Sequence, residues 1–231
     1  MDIPFVSEGD TLLTVMFIIG LFQFFWLSVM ITRRGINPST IRLYMLPLLT
    51  IWVLVWPAYE NTWMPLLSLA LFAFPFLFSL QKDNAFARHL RLCWHTSPEQ
   101  IRQPTPWLML IISFIIAALL FQQAPELGLG VGLSFTMAWS AAEIMDKTGY
   151  GLRLGLKSNP FQTLLGHLLL LIAVCLVCAW ALQLYHGIPM HMFMVATLIA
   201  GLVASMIRAI VPQGWNMPLS MLAISLTLGV L

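Results

Sequence analysis

The chain has 231 residues, of which 60% are hydrophobic and 9% are charged, and its formal net charge is +2. A mean hydropathy of +0.89 leaves little material for a soluble domain, so we expect an integral membrane protein. Nucleic-acid binding is not expected, because the basic residues adjoin apolar segments and form no separate basic domain.

The basic residues follow the pattern of a multi-spanning membrane protein. All eleven Lys and Arg residues fall in four stretches between long apolar runs. Lys and Arg in short loops are retained on the cytoplasmic side of a membrane, so these stretches are expected to lie on one side. The stretches contain Arg33, Arg34 and Arg42; Lys82, Arg88, Arg91 and Arg102; Lys147, Arg153 and Lys157; and Arg208.

The apolar runs predict an all-α, polytopic integral membrane protein with about eight transmembrane helices, folded as one domain over residues 1–231. Both termini would then lie outside the cytoplasm, and we expect a bacterial inner membrane with periplasmic termini. The predicted inner loops cover about 32–42, 81–106, 146–163 and 208–215. The predicted spans cover about 11–31, 43–58, 63–80, 107–122, 128–145, 164–184, 191–207 and 216–231.

The second inner loop contains a candidate amphipathic helix, AFARHLRLCWH. Phe86, Leu90 and Trp94 are spaced four apart in it and would share one apolar face. A helix of this kind can lie on the inner membrane surface and contact lipid headgroups or a partner. The alternative is an ordinary positively charged membrane anchor.

The CxxC formed by Cys175 and Cys178 lies inside an uninterrupted apolar run. We expect both side chains to be buried as small hydrophobic groups, with no redox or metal chemistry.

Few ionisable residues adjoin the spans, and these are the first candidates for chemistry because burying them is costly. Glu143 and Asp146 are three apart at the inner end of the fifth span, so on a helix they share a face and could hold a divalent metal or a proton. Alternatively they are water-exposed caps of the inner loop beside Lys147. His167 and Arg208 lie at the inner ends of later spans and could join this group, although Arg208 could equally anchor its helix by snorkelling.

Two inner segments resemble a known family. The stretch 139–167, WSAAEIMDKTGYGLRLGLKSNPFQTLLGH, resembles the signature loop of the phosphatidate cytidylyltransferase superfamily, which includes the CTP-dependent polyprenol, dolichol and phytol kinases. Residues 149–151, Gly-Tyr-Gly, take the place of the family's turn, and 159–166 take the place of its Ser/Asn-Pro-x-Lys-Thr-x-Glu-Gly segment. The stretch 208–219 is similar to the segment that opens the last span in the kinase branch.

The chain departs from this family at the charged positions. In the family, carboxylates and a lysine would hold Mg²⁺ and the CTP phosphates. The first Asp of that set falls near Ser140, the Lys on Gln162 and the first Glu on Leu165. The second Glu falls on Arg208 and the second Asp near Trp215. The residues retained shape turns. They are Gly151, Asn159, Pro160, Thr163, Gly166, Pro212, Gly214, Asn216 and Pro218.

The resemblance therefore implies a non-catalytic membrane scaffold or lipid-binding subunit, without cofactor, that binds a membrane lipid or joins a membrane protein complex. One alternative is an active prenol or phospholipid kinase or cytidylyltransferase that uses CTP and Mg²⁺. Its metal ligands would be Glu143 and Asp146, with Lys157 and Arg208 on phosphate. Its substrate would be bound by Asn159, Thr163, His167 and Asn216. A second alternative is a small transporter component, which the shortage of acids within the spans disfavours.

Overall fold

The computed structural model describes residues 7–81, 84–94, 106–156, 160–212 and 214–230, without the side chains of Ser39 and Ala73. In this part of the chain the regular structure is helical, and an isolated antiparallel bridge joins Arg153 to Thr163. The α-helices are α1 (Glu8–Arg33), α2 (Pro38–Met45), α3 (Leu49–Val55), α4 (Met64–Ala70), α5 (Ala73–Ser79), α6 (Ala85–Trp94), α7 (Pro106–Gln123), α8 (Pro125–Leu133), α9 (Ser140–Thr148), α10 (Leu164–His186), α11 (Met194–Ile210) and α12 (Asn216–Val230).

Five helical segments of the described residues are long and apolar enough to cross a membrane. The all-α prediction is confirmed, and the length and composition of these segments suggest a multi-pass membrane protein. The other three predicted spans correspond to shorter apolar segments, Met64–Ser79, Met194–Ile210 and Asn216–Val230, so these criteria do not give a count of eight. The five are Glu8–Arg33, Thr40–Ala58, Pro106–Gln123, Pro125–Thr148 and Leu164–His186.

The third predicted span is not one continuous helix. It is divided into α4, which ends at Ala70, and α5, which begins at Ala73. Pro75 explains the break, because its ring clashes with the carbonyl group four residues earlier, at Leu71, and it has no N–H to donate. Proline therefore divides the helical structure of the predicted span over 63–80 into two parts.

The bundle has two ends that can be identified from contacts between helices. At one end, Thr32 Oγ1 lies 2.9 Å from Cys93 Sγ, and Arg42 Nη1 donates to the Cys93 carbonyl oxygen at 3.1 Å. Lys147 Nζ donates to Thr40 Oγ1 at 2.7 Å and so brings the end of α9 to the same place. We call this the arginine-rich end, since Arg33, Arg42, Arg91 and Arg208 lie there. Described residues from each of the four basic stretches lie at this end.

The opposite end is fastened by a buried carboxylate. Asp10, in the first turn of α1, accepts hydrogen bonds from the backbone N–H of Glu60 at 2.8 Å and from Asn61 Nδ2 at 2.6 Å. Ser7 caps the same helix by accepting from the Asp10 N–H. A carboxylate at a helix N-terminus is also favoured by the helix dipole. Asp10 therefore joins the start of α1 to the turn after α3, a role that the sequence analysis did not identify.

Aromatic rings fill the space between α1, α3, α5 and α7. Phe17 stacks on Trp52 with ring centroids 4.4 Å apart, and Trp52 lies 4.9 Å from Phe114. Closer to the arginine-rich end, Phe25 stacks on Trp107 at 5.0 Å. Aromatic pairs at these separations contribute beyond the area they bury, so this cluster holds the N-terminal half together.

Helix α8 lies at the centre of the bundle, and glycines allow its neighbours to approach closely. A Cβ at Gly132 would lie 2.8 Å from Val53 of α3, and one at Gly130 would lie 3.3 Å from Cys178 of α10. At Gly128 a Cβ would collide with the backbone of Phe121 in α7. Small residues serve this purpose in membrane helix packing because they let backbones come together.

Helix α6 confirms the predicted helix in the second inner loop, but its apolar face does not lie on a membrane surface. Leu90, Cys93 and Trp94 are buried, and Trp94 lies 5.4 Å from Phe24 of α1. Burial raises the pKa of the Cys93 thiol, and the Thr32 hydroxyl partly offsets this effect. The helix closes the arginine-rich end of the aromatic cluster, because protein side chains take the place expected for lipid.

Both cysteines of the CxxC are buried, as expected, and both are free thiols. Cys178 Sγ lies 3.4 Å from Ser134 Oγ, and Cys175 Sγ lies 3.4 Å from Thr197 Oγ1. They act as small packing groups between α8, α10 and α11.

Candidate functional site

A polar cluster lies at the arginine-rich end, where α9, α10 and α11 meet. Asp146 comes from the last turn of α9, Thr163 caps the start of α10, and Arg208 lies in the last turn of α11. Leu152 and Leu154 pair through their backbones with 162–164, so the connection after α9 folds back across the cluster. Residues far apart in the chain are thereby brought to one buried place.

Asp146 is the centre of this cluster. Its Oδ1 accepts from the Thr163 backbone N–H at 2.8 Å and from Thr163 Oγ1 at 2.9 Å. Its Oδ2 accepts from Arg208 Nη2 at 2.7 Å. The side chain of Asp146 is 10% exposed and that of Arg208 is 2% exposed. Such short, charge-assisted bonds in a buried setting fix both helices to the start of α10.

Arg208 has a second neighbour and one atom without a hydrogen bond. Its guanidinium carbon lies 5.3 Å from the ring centroid of Trp139, a distance suited to a cation–π interaction. Its Nη1 is buried, and among the described residues it has no hydrogen-bond partner. Arg208 is therefore held by a carboxylate and a ring inside the protein, and it does not reach water as a snorkelling anchor would.

A π-helical segment, Ser134–Trp139, separates α8 from α9 and places Trp139 beneath Arg208. Its last residue, Trp139, also donates through Nε1 to Glu143 Oε1 at 2.9 Å. Segments of π-helix are rare and are found frequently at functional sites, because they change which side chains face inwards. The regular apolar pattern of this span gave no indication of the change.

A chain of hydrogen bonds extends the cluster from α10 to α11. Gln162 Nε2 donates to the Arg208 carbonyl oxygen at 2.9 Å, so Gln162 Oε1 is left to accept from His167 Nε2 at 3.0 Å. In the neutral ring, His167 Nδ1 then accepts from the Ser205 hydroxyl at 2.8 Å. The imidazole is thus fixed in one tautomer and joins the two helices.

The structure brings four of the predicted site residues together and leaves the others elsewhere. Asp146, Thr163, His167 and Arg208 form the cluster. Lys157 and Asn159 lie outside the described residues. Asn216 is buried at the start of α12.

The Glu143 carboxylate contacts different groups from those that bind the Asp146 carboxylate. It accepts from Trp139 and interacts electrostatically with Arg42 and Lys147. The two carboxylates three residues apart are therefore engaged by different groups. Their shared use as one metal-binding pair stays a prediction that this geometry does not favour.

The donor set around Asp146 does not fit a magnesium ion. Both carboxylate oxygens already accept hydrogen bonds, three in total, and one donor is a guanidinium that neutralises the charge a cation would need. Among the described residues, no group of three or more His, Cys, Asp or Glu side chains is arranged to hold a metal ion.

Gln162, Ser205 and Trp139 complete the cluster, and the sequence analysis did not select them. Gln162 was noted only because it replaces a family lysine, and Ser205 lies in an apolar helix with no motif around it. The one available signal was spacing, since Ser205 and Arg208 are three apart and share a helix face.

Thr163→Val is expected to lower the free energy of unfolding by about 1–2 kcal/mol, because the hydroxyl accepts from the Gly166 N–H as an N-cap and donates to Asp146. Thr163→Ser should retain most of that stability. The measurement is denaturant unfolding of the purified protein in micelles. Equal stability of both variants and the wild type would show that the cap contributes nothing.

No family model, curated protein or solved structure matches this chain. The likeness to CTP-dependent lipid enzymes therefore rests on the residues of the two inner segments alone. The geometry of the cluster carries the functional argument that follows.

Proposed function

We propose that this protein is a non-catalytic membrane scaffold or lipid-binding subunit. The observation that carries the proposal is that both carboxylate oxygens of Asp146 accept hydrogen bonds, from Thr163 and from Arg208. A carboxylate that serves phosphoryl or nucleotidyl transfer must offer lone pairs to a metal ion or a proton. This one is used to hold three helices and a loop together.

The surrounding groups support the same conclusion. Gln162, at the position of the family's lysine, donates to a backbone carbonyl, and His167 bonds to Gln162 and Ser205. Gln162, His167 and Ser205 are thus joined in one chain of hydrogen bonds, which is the arrangement expected of a structural network in a low-dielectric interior. The active CTP-dependent enzyme remains the alternative, and it would require this network to open.

The setting we propose is a bacterial inner membrane, with the arginine-rich end on the cytoplasmic side and both termini in the periplasm. The sorting of the basic residues supports this orientation. The ligand would be a membrane lipid, and the partner would be another membrane protein.

Thermal unfolding of the full chain in uncharged micelles tests the proposal. Added phospholipid should raise the melting temperature, whereas CTP with Mg²⁺ should leave it unchanged relative to EDTA. A ligand that binds only the native state stabilises it by about 2.7 kcal/mol at a hundred times its dissociation constant, so millimolar nucleotide would reveal even weak binding.

Glu143→Gln is the control variant for this experiment, because Glu143 lies outside the Asp146 network and its replacement should leave the fold intact. A rise in melting temperature that requires both CTP and Mg²⁺, and that disappears in Glu143→Gln, would overturn the non-catalytic proposal in favour of the enzyme. If added phospholipid leaves the melting temperature unchanged, the lipid-binding part of the proposal fails and only the scaffold role remains.

A further inference from the structure

Four arginines lie on α6 or beside it at the arginine-rich end. Arg33 and Arg34 end α1. Arg88 is exposed on the side of α6 that faces away from its buried residues, and the partly buried Arg91 lies at the flank between the two sides. Burial together with the charges of Arg33 and Arg88 lowers the pKa of His89, which places these two arginines near His89. We call these four residues the arginine patch.

The arginine patch is not neutralised by the described protein groups around it. No hydrogen bond or ion pair within the described residues engages its four guanidinium groups, in contrast to Arg42 and Arg208, which bind inside the protein. Residues 27–42 and 84–94 contain no Asp or Glu. Several like charges held together without counter-charges create a local positive potential that favours an anionic ligand.

The patch is also held in place. Phe86 packs against Phe78 of α5 with ring centroids 5.9 Å apart, and Cys93 bonds to α1 and α2 through Thr32 and Arg42. Because the apolar face of α6 is buried in the protein, its basic face is fixed in orientation. A rigid basic surface binds with less loss of conformational freedom than a flexible basic tail.

An exposed apolar side chain accompanies the charges. Leu92 is 41% exposed, and it lies four residues after Arg88 on the same face of α6. Adjacent guanidinium and aliphatic groups match the two parts of a phospholipid, a phosphate and an acyl chain. A soluble phosphate would use only the first part.

We propose that the arginine patch binds the phosphate headgroup of an acidic phospholipid, with Arg88 and Arg91 as the main contacts. This inference rests on the proposed lipid-binding function and specifies the class of lipid and its site. Guanidinium groups suit phosphate because their planar donors form paired hydrogen bonds with its oxygens. The surplus negative charge of an acidic lipid compensates a patch that the described residues leave positive.

The test is the affinity of the full chain, in uncharged micelles, for phosphatidylglycerol and for phosphatidylcholine, measured by native mass spectrometry. Phosphatidylglycerol should bind more tightly. A basic residue near an anionic lipid surface contributes about 1 kcal/mol, so Arg88→Gln should weaken phosphatidylglycerol binding about fivefold and Arg88→Gln/Arg91→Gln about thirtyfold. Phosphatidylcholine binding should change little.

Arg153→Gln is the matched control, since it removes one exposed positive charge from the same end of the protein and should leave the affinity unchanged. Arg88→Lys/Arg91→Lys retains the charge and should keep most of the binding, which separates a lost contact from a damaged helix. Equal weakening by Arg88→Gln and Arg153→Gln would overturn the assigned site.

Two further outcomes would overturn the inference. Equal affinity for the two lipids would contradict the preference for an acidic phospholipid. The proposed lipid binding would still stand if both lipids bind. Displacement of phosphatidylglycerol by inorganic phosphate at similar concentration would show an anion site with no preference for lipid. Absence of any lipid binding would instead contradict the lipid-binding form of the proposed function and leave only the scaffold.

Discussion

Arg208→Met is expected to lower the free energy of unfolding by about 3–5 kcal/mol, the usual cost of removing one partner of a buried ion pair. Methionine fills a similar volume, so the loss reports charge and hydrogen bonding. The Asp146 carboxylate would remain buried and keep only its contacts with Thr163. Denaturant unfolding in uncharged micelles gives the measurement.

A double-mutant cycle sharpens this prediction. Asp146→Leu combined with Arg208→Met should cost less than the sum of the two single changes, because neither charge is then left unpaired; a coupling energy of up to about 3 kcal/mol is expected. Arg34→Ala, at an exposed position, is the control and should change stability by less than about 0.5 kcal/mol. A loss below about 1 kcal/mol for Arg208→Met would mean that the pair behaves like a surface salt bridge.

Gly128→Ala is expected to have the second large effect, a loss of about 3 kcal/mol or more, or failure to fold. The added Cβ would collide with the backbone and Cβ of Phe121. Side chains can rotate away from an intruding methyl group, but a helix backbone can only move as a whole. The two helices joined at Ala124 would have to separate, and their separation would disturb the centre of the bundle.

Gly20→Ala provides the matched comparison, because a Cβ at Gly20 in α1 meets nothing within 4 Å. Alanine is favoured over glycine in a helix by about 1 kcal/mol, so this variant should be as stable as the wild type or more stable. Thermal unfolding of the two variants under identical conditions distinguishes local packing from a general effect of the substitution. Similar behaviour of both would contradict the close contact between α7 and α8.

Four residues of the candidate site could be selected from the sequence alone. Asp146, His167 and Arg208 were selected because ionisable residues next to apolar spans are costly to bury, and Thr163 was selected because it occupies a position of the resembled family. The sequence left open whether Asp146 acts with Glu143 or is exposed to water, and the ion pair with a residue 62 positions away is set by the packing of α9 and α11 against α10.

Composition and the apolar pattern were enough to predict that the chain is helical and apolar and that the basic residues lie at one end, where the structure has the described ones. Those properties follow from composition and from the cost of exposing backbone or charge to lipid, which act on each segment separately. The fold was needed to show that α6 packs on protein, that a π-helical segment brings Trp139 to Arg208, and that both oxygens of Asp146 accept hydrogen bonds. Such features depend on which side chains meet across distant segments, and hydrogen bonding and packing between those segments settle them.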